Sequence, residues 1–183
     1  MYKKKINASA LRSRRRIAES LVELMKAKPF NDVTITDICE NAQLVRKTFY
    51  RNFRSKDEVI LYLLENVFKE FITERNINDM AVNEILLDVY NFIDMYRDFL
   101  MLFYQNNLLR FVDKNVAEFI VKERLYNEID LSAIDGKCLR YIPAHIAALI
   151  MSIVETWIDG GFAETPAELA ALTDTILKGK LYR

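Results

Sequence analysis

Basic and aromatic side chains alternate in a short segment near residue 50, and these residue types can bind nucleic acid. Arg46, Lys47 and Arg51 supply positive charge, and Tyr50 lies among them. Arginine and lysine donate hydrogen bonds to phosphate oxygens, and in the major groove they match the two acceptors on the edge of guanine. This cluster of residue types therefore indicates a surface that can bind nucleic acid.

Positive charge is concentrated at the start of the chain. Residues 1–57 contain 14 Lys/Arg against 6 Asp/Glu, whereas residues 58–183 contain 12 against 20. A basic head on an acidic body indicates that one end of the molecule meets a polyanion. Two interpretations of Lys3–Lys5 stay open: a solvated basic end, or an arm that enters a minor groove. Among Arg14–Arg16, which lie on different faces of a helix, one or two are predicted to face phosphate.

Residues that could support other chemistry occur singly. The chain has one histidine, His145, and two widely separated cysteines, Cys39 and Cys138, which form no metal-ligand pattern. It contains neither a phosphate-binding glycine loop nor a nucleophile motif. We therefore predict no enzyme, no metal and no cofactor. The cysteine usage indicates a reducing compartment, and the apolar run 146–154 is too short to cross a bilayer, so we predict a cytoplasmic protein.

Composition points to helices as the elements that position these residues. The chain has 183 residues, 51% of them hydrophobic, with only 4 glycines and 3 prolines. A β-sandwich or barrel of this length would need more turn residues. The sequence therefore predicts an all-α fold.

The basic head shows the start and stop signals of short helices. A first helix is predicted from about Ser9 to the Lys28-Pro29 boundary. Capping boxes at Thr34/Asp37 and Ser55/Glu58 open two more, and residues 45–52 form a short helix between them. A short helix, a tight turn and a second short basic helix form a helix-turn-helix pattern.

The acidic body shows wider apolar stripes, typical of longer helices packed on several sides. One helix is predicted from about Tyr141 to Ile158, with Pro143 in its first turn and a stop at Gly160-Gly161, and a last one starts after Thr165. We predict a helix-turn-helix DNA-binding domain over residues 1–57 and a second domain over residues 58–183, for which the resemblance described next implies ligand binding and dimerisation.

The segment Thr34-Ile35-Thr36-Asp37-Ile38-Cys39, followed by Thr48-Phe49-Tyr50-Arg51-Asn52-Phe53-Arg54-Ser55-Lys56-Asp57, resembles the DNA-binding domain of the TetR/AcrR family of bacterial transcriptional regulators. The match covers roughly residues 10–60. The tail Trp157-Ile158-Asp159-Gly160-Gly161-Phe162 is similar to the ligand and dimerisation domain of one subgroup.

The resemblance implies an all-α homodimer whose third helix enters the major groove. It carries over eight DNA-binding residues: Thr34, Thr36, Arg46, Lys47, Thr48, Tyr50, Arg51 and Lys56. Of these, Thr34, Thr36 and Tyr50 would approach phosphates, and Arg46 and Lys47 would reach base edges. Lys56 would donate to a further phosphate at the start of the fourth helix. Phe49, Phe53 and Ile38 would pack the small core.

One position departs from the family pattern. The family usually has glycine in the turn where this chain has Gln43. A residue other than glycine at positive φ costs on the order of 1 kcal/mol. We therefore expect a slightly different turn here.

The resemblance also implies a small-molecule effector and a dimer whose last two long helices pair with their mates. Aromatic and histidine side chains of the body are candidates for the effector pocket: Tyr96, Phe99, Phe103, Tyr126, Tyr141, His145 and Trp157. A core role for these side chains, and an interface role for Trp157, stay open. The function implied is a ligand-responsive repressor on a near-palindromic operator, with residues 58–72 as the lever between domains. The alternative is an activator or co-regulator that works through a protein partner.

Overall fold

The computed structural model describes residues 8–73, 80–123 and 135–179, and every regular element within these ranges is helical. The α-helices are α1 (Ala8–Ala27), α2 (Ile35–Asn41), α3 (Arg46–Asn52), α4 (Lys56–Thr73), α5 (Val82–Met95), α6 (Arg97–Gln105), α7 (Leu109–Glu123), α8 (Ile142–Asp159) and α9 (Pro166–Leu177). The predicted all-α class is confirmed. Lys3–Lys5 and Tyr126 lie outside the described residues.

The chain forms two compact units. Unit 1 contains the described residues up to 67 together with 102–108, and unit 2 contains 68–101 and the described residues from 109 onward. Two helices, α4 and α6, therefore contribute residues to both units.

In unit 1, α1 packs on both α2 and α3. Three- and four-residue spacing along α1 places Ile17 and Leu21 on one face, and both are fully buried with Ile38 and Phe49. The helix ends at Ala27 because Pro29 follows, as predicted. This small core fixes the orientation of α3.

In unit 2, α5 packs on α9, and α8 packs on both α7 and α9. The Tyr90 and Thr173 hydroxyls form a buried hydrogen bond of 2.7 Å between α5 and α9. The predicted stop of α8 is confirmed: the Gly161 N–H donates to Ile158 O, the Phe162 N–H donates to Trp157 O, and Gly161 has a φ of 70°.

The segment Leu139–Asp159 is long and apolar enough to cross a membrane by length and composition. Its apolar side chains, however, are used in the core of unit 2. Eight residues of α8 are buried there: Pro143, Ile146, Ala147, Ile150, Met151, Val154, Trp157 and Ile158. The segment therefore has the features of the core helix of a globular domain.

Candidate nucleic-acid interface

Helix α3 presents one face to the core of unit 1 and the other to solvent. Phe49 is fully buried, and its ring centroid lies 5.6 Å from that of Tyr50 and 6.1 Å from that of Phe53. Four of the predicted DNA-binding residues on this helix are exposed: Arg46, Lys47, Tyr50 and Arg51. Thr48 is half-buried, and Tyr50 exposes 52% of its surface. The core anchor thus directs the predicted residues outward.

The three cations on the exposed face of α3 have no protein partner. Within the described residues, Arg46, Lys47 and Arg51 make no hydrogen bond and no ion pair. Positive charge that no nearby carboxylate compensates creates a local potential that attracts a polyanion. Phosphate binding by such groups releases the counterions condensed on DNA.

The start of α2 is fixed by reciprocal hydrogen bonds. Thr34 Oγ1 accepts from the Asp37 N–H at 3.1 Å, and Asp37 Oδ2 accepts from the Thr34 N–H at 2.8 Å and from Lys28 Nζ at 2.6 Å. The hydrogen bond from Lys28, followed by those from Thr34, lowers the pKa of Asp37 to about 2. The predicted capping box is confirmed, and it leaves the exposed Thr36 hydroxyl beside it without a protein partner.

The ionised Asp37 carboxylate is expected to stabilise the fold in a pH-dependent way. Its pKa is lower in the folded protein than its ordinary value of 3.8, so this contribution is complete above that value and is lost as the pH falls through about 2. We expect Asp37→Asn to lower the free energy of unfolding at pH 7, and the difference from wild type to shrink steadily below pH 4.

Urea unfolding at pH 7, 4 and 3 measures this difference. Glu40→Gln is the matched control, because Glu40 is an exposed acid of the same helix with no partner among the described residues. A deficit of Asp37→Asn that stays constant over this pH range would contradict the assignment.

The turn between α2 and α3 keeps the geometry that glycine favours, so the expectation of a different turn was wrong. Gln43 has a φ of 51°. The Gln43 N–H donates to Glu40 O at 3.0 Å and the Leu44 N–H donates to Cys39 O at 2.8 Å, which is the Schellman arrangement that glycine favours. Arg16 of α1 donates to Ala42 O, and Ser20 donates to Ile38 O. Helix α1 thereby satisfies carbonyl groups at the end of α2 and holds the turn.

Relief of the strain at Gln43 is expected to stabilise unit 1. Glycine has no Cβ, so Gln43→Gly removes a cost on the order of 1 kcal/mol, and the greater freedom of the unfolded chain offsets part of the gain. We expect the free energy of unfolding to rise by up to about 1 kcal/mol. Gln43→Ala is the control, since alanine keeps the Cβ and should gain nothing. Equal effects of the two substitutions in chemical unfolding would refute the strain.

Three of the four arginines of α1 contact protein groups. The Arg14 guanidinium lies between two rings, 4.7 Å from the centroid of Phe53 and 4.5 Å from that of Tyr62. Arg15 forms an ion pair of 2.7 Å with Glu19, with 79% of its side chain exposed. Arg16 holds the turn as described above. The helix spacing alone did not reveal these roles.

Lys56 is the first residue of the fourth helix, as the resemblance implies, and its ammonium contacts the protein. Its ammonium donates to three carbonyl oxygens of the turn between α1 and α2, those of Phe30, Asn31 and Val33, at 2.5, 3.0 and 3.0 Å. An ammonium has three N–H donors, so this arrangement leaves none for a phosphate. In the free protein the ammonium is thus engaged by the turn, and a direct phosphate contact of Lys56 stays a prediction.

Two exposed residues beside α3 were not among the predicted DNA-binding residues. Val45, which precedes α3, exposes 69% of its surface. Arg54 exposes 94% of its side chain, and its Nε lies 3.9 Å from Oε1 of Glu58. The charge of Arg54 was a usable signal, whereas an isolated valine gives none.

The predicted effector-pocket residues fall into different environments. Phe103 belongs to unit 1 and is fully buried, and Trp157 is fully buried in unit 2. In unit 2, Tyr141 and His145 are exposed, whereas Tyr96 and Phe99 are half-buried. A cavity of about 490 Å³ lies between α1 and α4 in unit 1, and none of the predicted residues lines it.

The two cysteines differ in exposure. Cys39 is buried, and burial raises the pKa of its thiol. Cys138 is exposed. Among the described residues, no group of three or more His, Cys, Asp or Glu side chains is placed to hold a metal ion.

Unit 1 contains helices α1, α2 and α3, a tight turn between α2 and α3, and a cationic face on α3 that forms no ion pair with the described residues. This arrangement defines a helix-turn-helix DNA-binding protein. The profile of bacterial regulatory proteins of the tetR family matches residues 17–63, and that of a transcriptional regulator C-terminal region matches residues 79–179. The chain belongs to the tetR family of transcriptional regulators, which are not enzymes.

One similar protein is the HTH-type dhaKLM operon transcriptional activator DhaS of Lactococcus lactis subsp. lactis (strain IL1403). It is 30% identical over 105 residues, which are 57% of this chain and 52% of the relative. The chain thus spans about half the length of that relative. Two solved structures share the fold. A dihydroxyacetone kinase operon activator DhaS has 22% identity and a TM-score of 0.57, covering 92% of this chain and 96% of that one. The fatty acid degradation regulator FadR from Bacillus halodurans has 16% identity and a TM-score of 0.58, covering 93% and 97%.

Proposed function

We propose that the protein is a ligand-responsive repressor that binds a near-palindromic operator as a homodimer. The observation that carries the proposal is the exposed face of α3, with three cations that lack protein partners. A single head reads one half-site, and a two-fold dimer requires a two-fold related pair of half-sites. Occupation of a promoter by such a dimer blocks transcription without any further partner. The protein acts in the cytoplasm, where the DNA lies.

The outer faces of α8 and α9 support the dimer. Small or apolar residues are exposed along both helices: Ala148, Ser152 and Thr156 on α8, and Ala171 and Leu172 on α9. Thr175 of α9 is half-buried. Small side chains allow helices of two copies to approach closely and form a four-helix interface. An effector that prefers one spacing of the two heads shifts the dimer between DNA-competent and incompetent states, with α4 as the lever.

Activation is the second candidate function, and the likeness to DhaS favours it, because that relative is named a transcriptional activator. The two modes differ in a promoter-reporter assay. A repressor lowers expression when it is supplied and its removal raises expression. An activator does the reverse.

Fluorescence anisotropy tests DNA binding itself. DNA from upstream of the protein's own gene and a scrambled duplex are compared at two salt concentrations. We expect tight binding to the upstream DNA alone, weakening as salt rises. Absence of binding to either duplex at low salt would refute the proposal. A measurement of the molar mass of the free protein in solution tests whether it forms a dimer.

A further inference from the structure

The turn between α1 and α2 is held from α4 by one side chain. Phe30, in a short 3-10 turn over Phe30–Asp32, is buried, and Lys56 Nζ lies 4.4 Å from the centroid of its ring. The same ammonium donates to the carbonyl oxygens of Phe30, Asn31 and Val33. Three charge-assisted hydrogen bonds and a ring contact fix the turn to the first residue of α4.

A second side chain holds the turn from the end of α6. Asn106 Oδ1 accepts a hydrogen bond from the Phe30 N–H at 2.6 Å. The amide of Asn106 is itself oriented, because its Nδ2 donates to Leu102 O at 2.8 Å. Both peptide groups of Phe30 are thus satisfied by side chains from distant parts of unit 1. We call Phe30–Val33 with Lys56 and Asn106 the clasp.

The clasp lies directly before the start of α2. Val33 is buried, and the next residue, Thr34, caps α2. The position of Val33 therefore determines where Thr34 and the exposed Thr36 point. These are the two hydroxyls that are proposed to approach DNA phosphates.

The protonation state of Lys56 matches this role. Three donors require the ammonium form, since a neutral amine has only two N–H groups. Burial lowers the pKa of Lys56, and Asp57 and Asp32 act in the opposite direction. The three hydrogen bonds direct the charge of Lys56 toward the carbonyl oxygens of the turn.

We propose that Lys56 is a positioning residue for DNA binding, which together with Asn106 holds the Phe30–Val33 turn so that the α2 hydroxyls reach the phosphate backbone. The proposal rests on the proposed function, because it assumes that the α2–α3 surface binds DNA. In this role Lys56 does not contact a phosphate itself. It affects the phosphate contacts of Thr34 and Thr36 by holding the turn that precedes them.

The salt dependence of DNA affinity distinguishes the two roles. A residue that neutralises a phosphate contributes about 0.9 to the slope of log affinity against log salt, whereas a positioning residue contributes nothing. We expect Lys56→Met to weaken binding about tenfold at every salt concentration with an unchanged slope. Arg51→Met, which removes an exposed cation without a protein partner, is the matched control and should lower the slope by about 0.9. A slope lowered equally by Lys56→Met would overturn the proposal.

Two further variants separate positioning from general stability. All affinities are measured well below the melting temperature, where a merely stabilising residue would leave the affinity of the folded protein unchanged. Asn106→Ala, which carries no charge change, should also weaken binding without a slope change, and the double variant should lose less than the product of the two single losses. Unchanged affinity of both single variants would overturn the proposal.

Single methylphosphonate linkages along the duplex supply a positional readout. At some phosphates a methylphosphonate should weaken binding of the wild type but not of Thr36→Val. We expect the affinity of Lys56→Met to be unchanged by methylphosphonates at those same phosphates. Insensitivity of Lys56→Met at a phosphate that Thr36→Val still senses would show a direct Lys56 contact and overturn the proposal. Failure of wild type to bind any duplex would instead refute the proposed function.

Discussion

Replacing Arg46, Lys47 and Arg51 together by glutamine is expected to weaken specific DNA binding at least about a hundredfold. Each cation is exposed on α3 and forms no ion pair with the residues that the structure describes, so the substitution breaks no ion pair there and the fold should persist. A contact to a base edge or phosphate contributes about 1–3 kcal/mol, and three contacts at the lower limit already give this factor. Anisotropy titrations of wild type and variant on the same duplex measure the loss.

The control for this triple substitution carries the same change in net charge. Arg15, Lys26 and Lys178 are exposed but form ion pairs with Glu19, Glu23 and Asp174. We expect their replacement by glutamine to change the affinity less than about threefold, because a neighbouring carboxylate already compensates each of these charges. Equal losses in the two triple variants would show that net charge, not the face of α3, drives binding.

Single variants then assign the roles within the face. Arg46→Ala should chiefly loosen sequence preference, because an arginine at a base edge discriminates guanine from other bases. Tyr50→Ala should weaken binding to all sequences to a similar degree, because a phosphate contact carries no sequence information. Unchanged affinity in both variants would contradict the assignment of α3 as the reading helix.

The helix boundaries and the position of the cationic face could be predicted from sequence because their signals are local. The Thr34/Asp37 box, Pro29 and the Gly160-Gly161 pair each act within one helical turn. Such features depend on a few neighbouring backbone groups, so spacing alone contains the information. The expectation of a different turn at Gln43 was wrong, because the residue adopts the positive φ that glycine favours.

The partners of the long cationic side chains could not be predicted in the same way. Arg14 reaches Phe53 and Tyr62, and Lys56 reaches Asn31, which are far away in sequence. A flexible charged side chain adopts whichever contact the tertiary packing offers, and helix periodicity gives only the direction in which it starts. Lys56, at the start of a helix, therefore fitted the pattern of a phosphate-binding lysine. In the structure its ammonium donates to carbonyl oxygens of the protein.

The aromatic residues of the body show the same limit. A stripe of aromatic side chains predicts burial, but the packing partner decides whether a ring faces a core or a cavity. Trp157 and Tyr141 were both candidates for the effector pocket, yet the first is fully buried and the second exposes 58% of its surface.

Trp157→Ala is expected to destabilise unit 2 by about 3–5 kcal/mol, because it removes a large side chain from a closed environment. The Trp157 ring centroid lies 5.0 Å from that of Phe162 and 6.4 Å from that of Tyr90. Its indole N–H donates to Glu164 O at 2.9 Å, which ties the end of α8 to the segment before α9. Thermal and urea unfolding followed by circular dichroism measure the loss.

Two comparisons show whether Trp157 is a core residue or lines the effector pocket. Trp157→Phe keeps most of the apolar volume but loses the hydrogen bond, so it should cost about 1–3 kcal/mol. Tyr141→Ala, at an exposed aromatic position, should change the free energy of unfolding by less than about 0.5 kcal/mol. A loss below about 1 kcal/mol for Trp157→Ala would contradict the core assignment. Because Trp157 is the only tryptophan, its emission reports on this site alone, and a buried indole should emit at shorter wavelength than the unfolded chain.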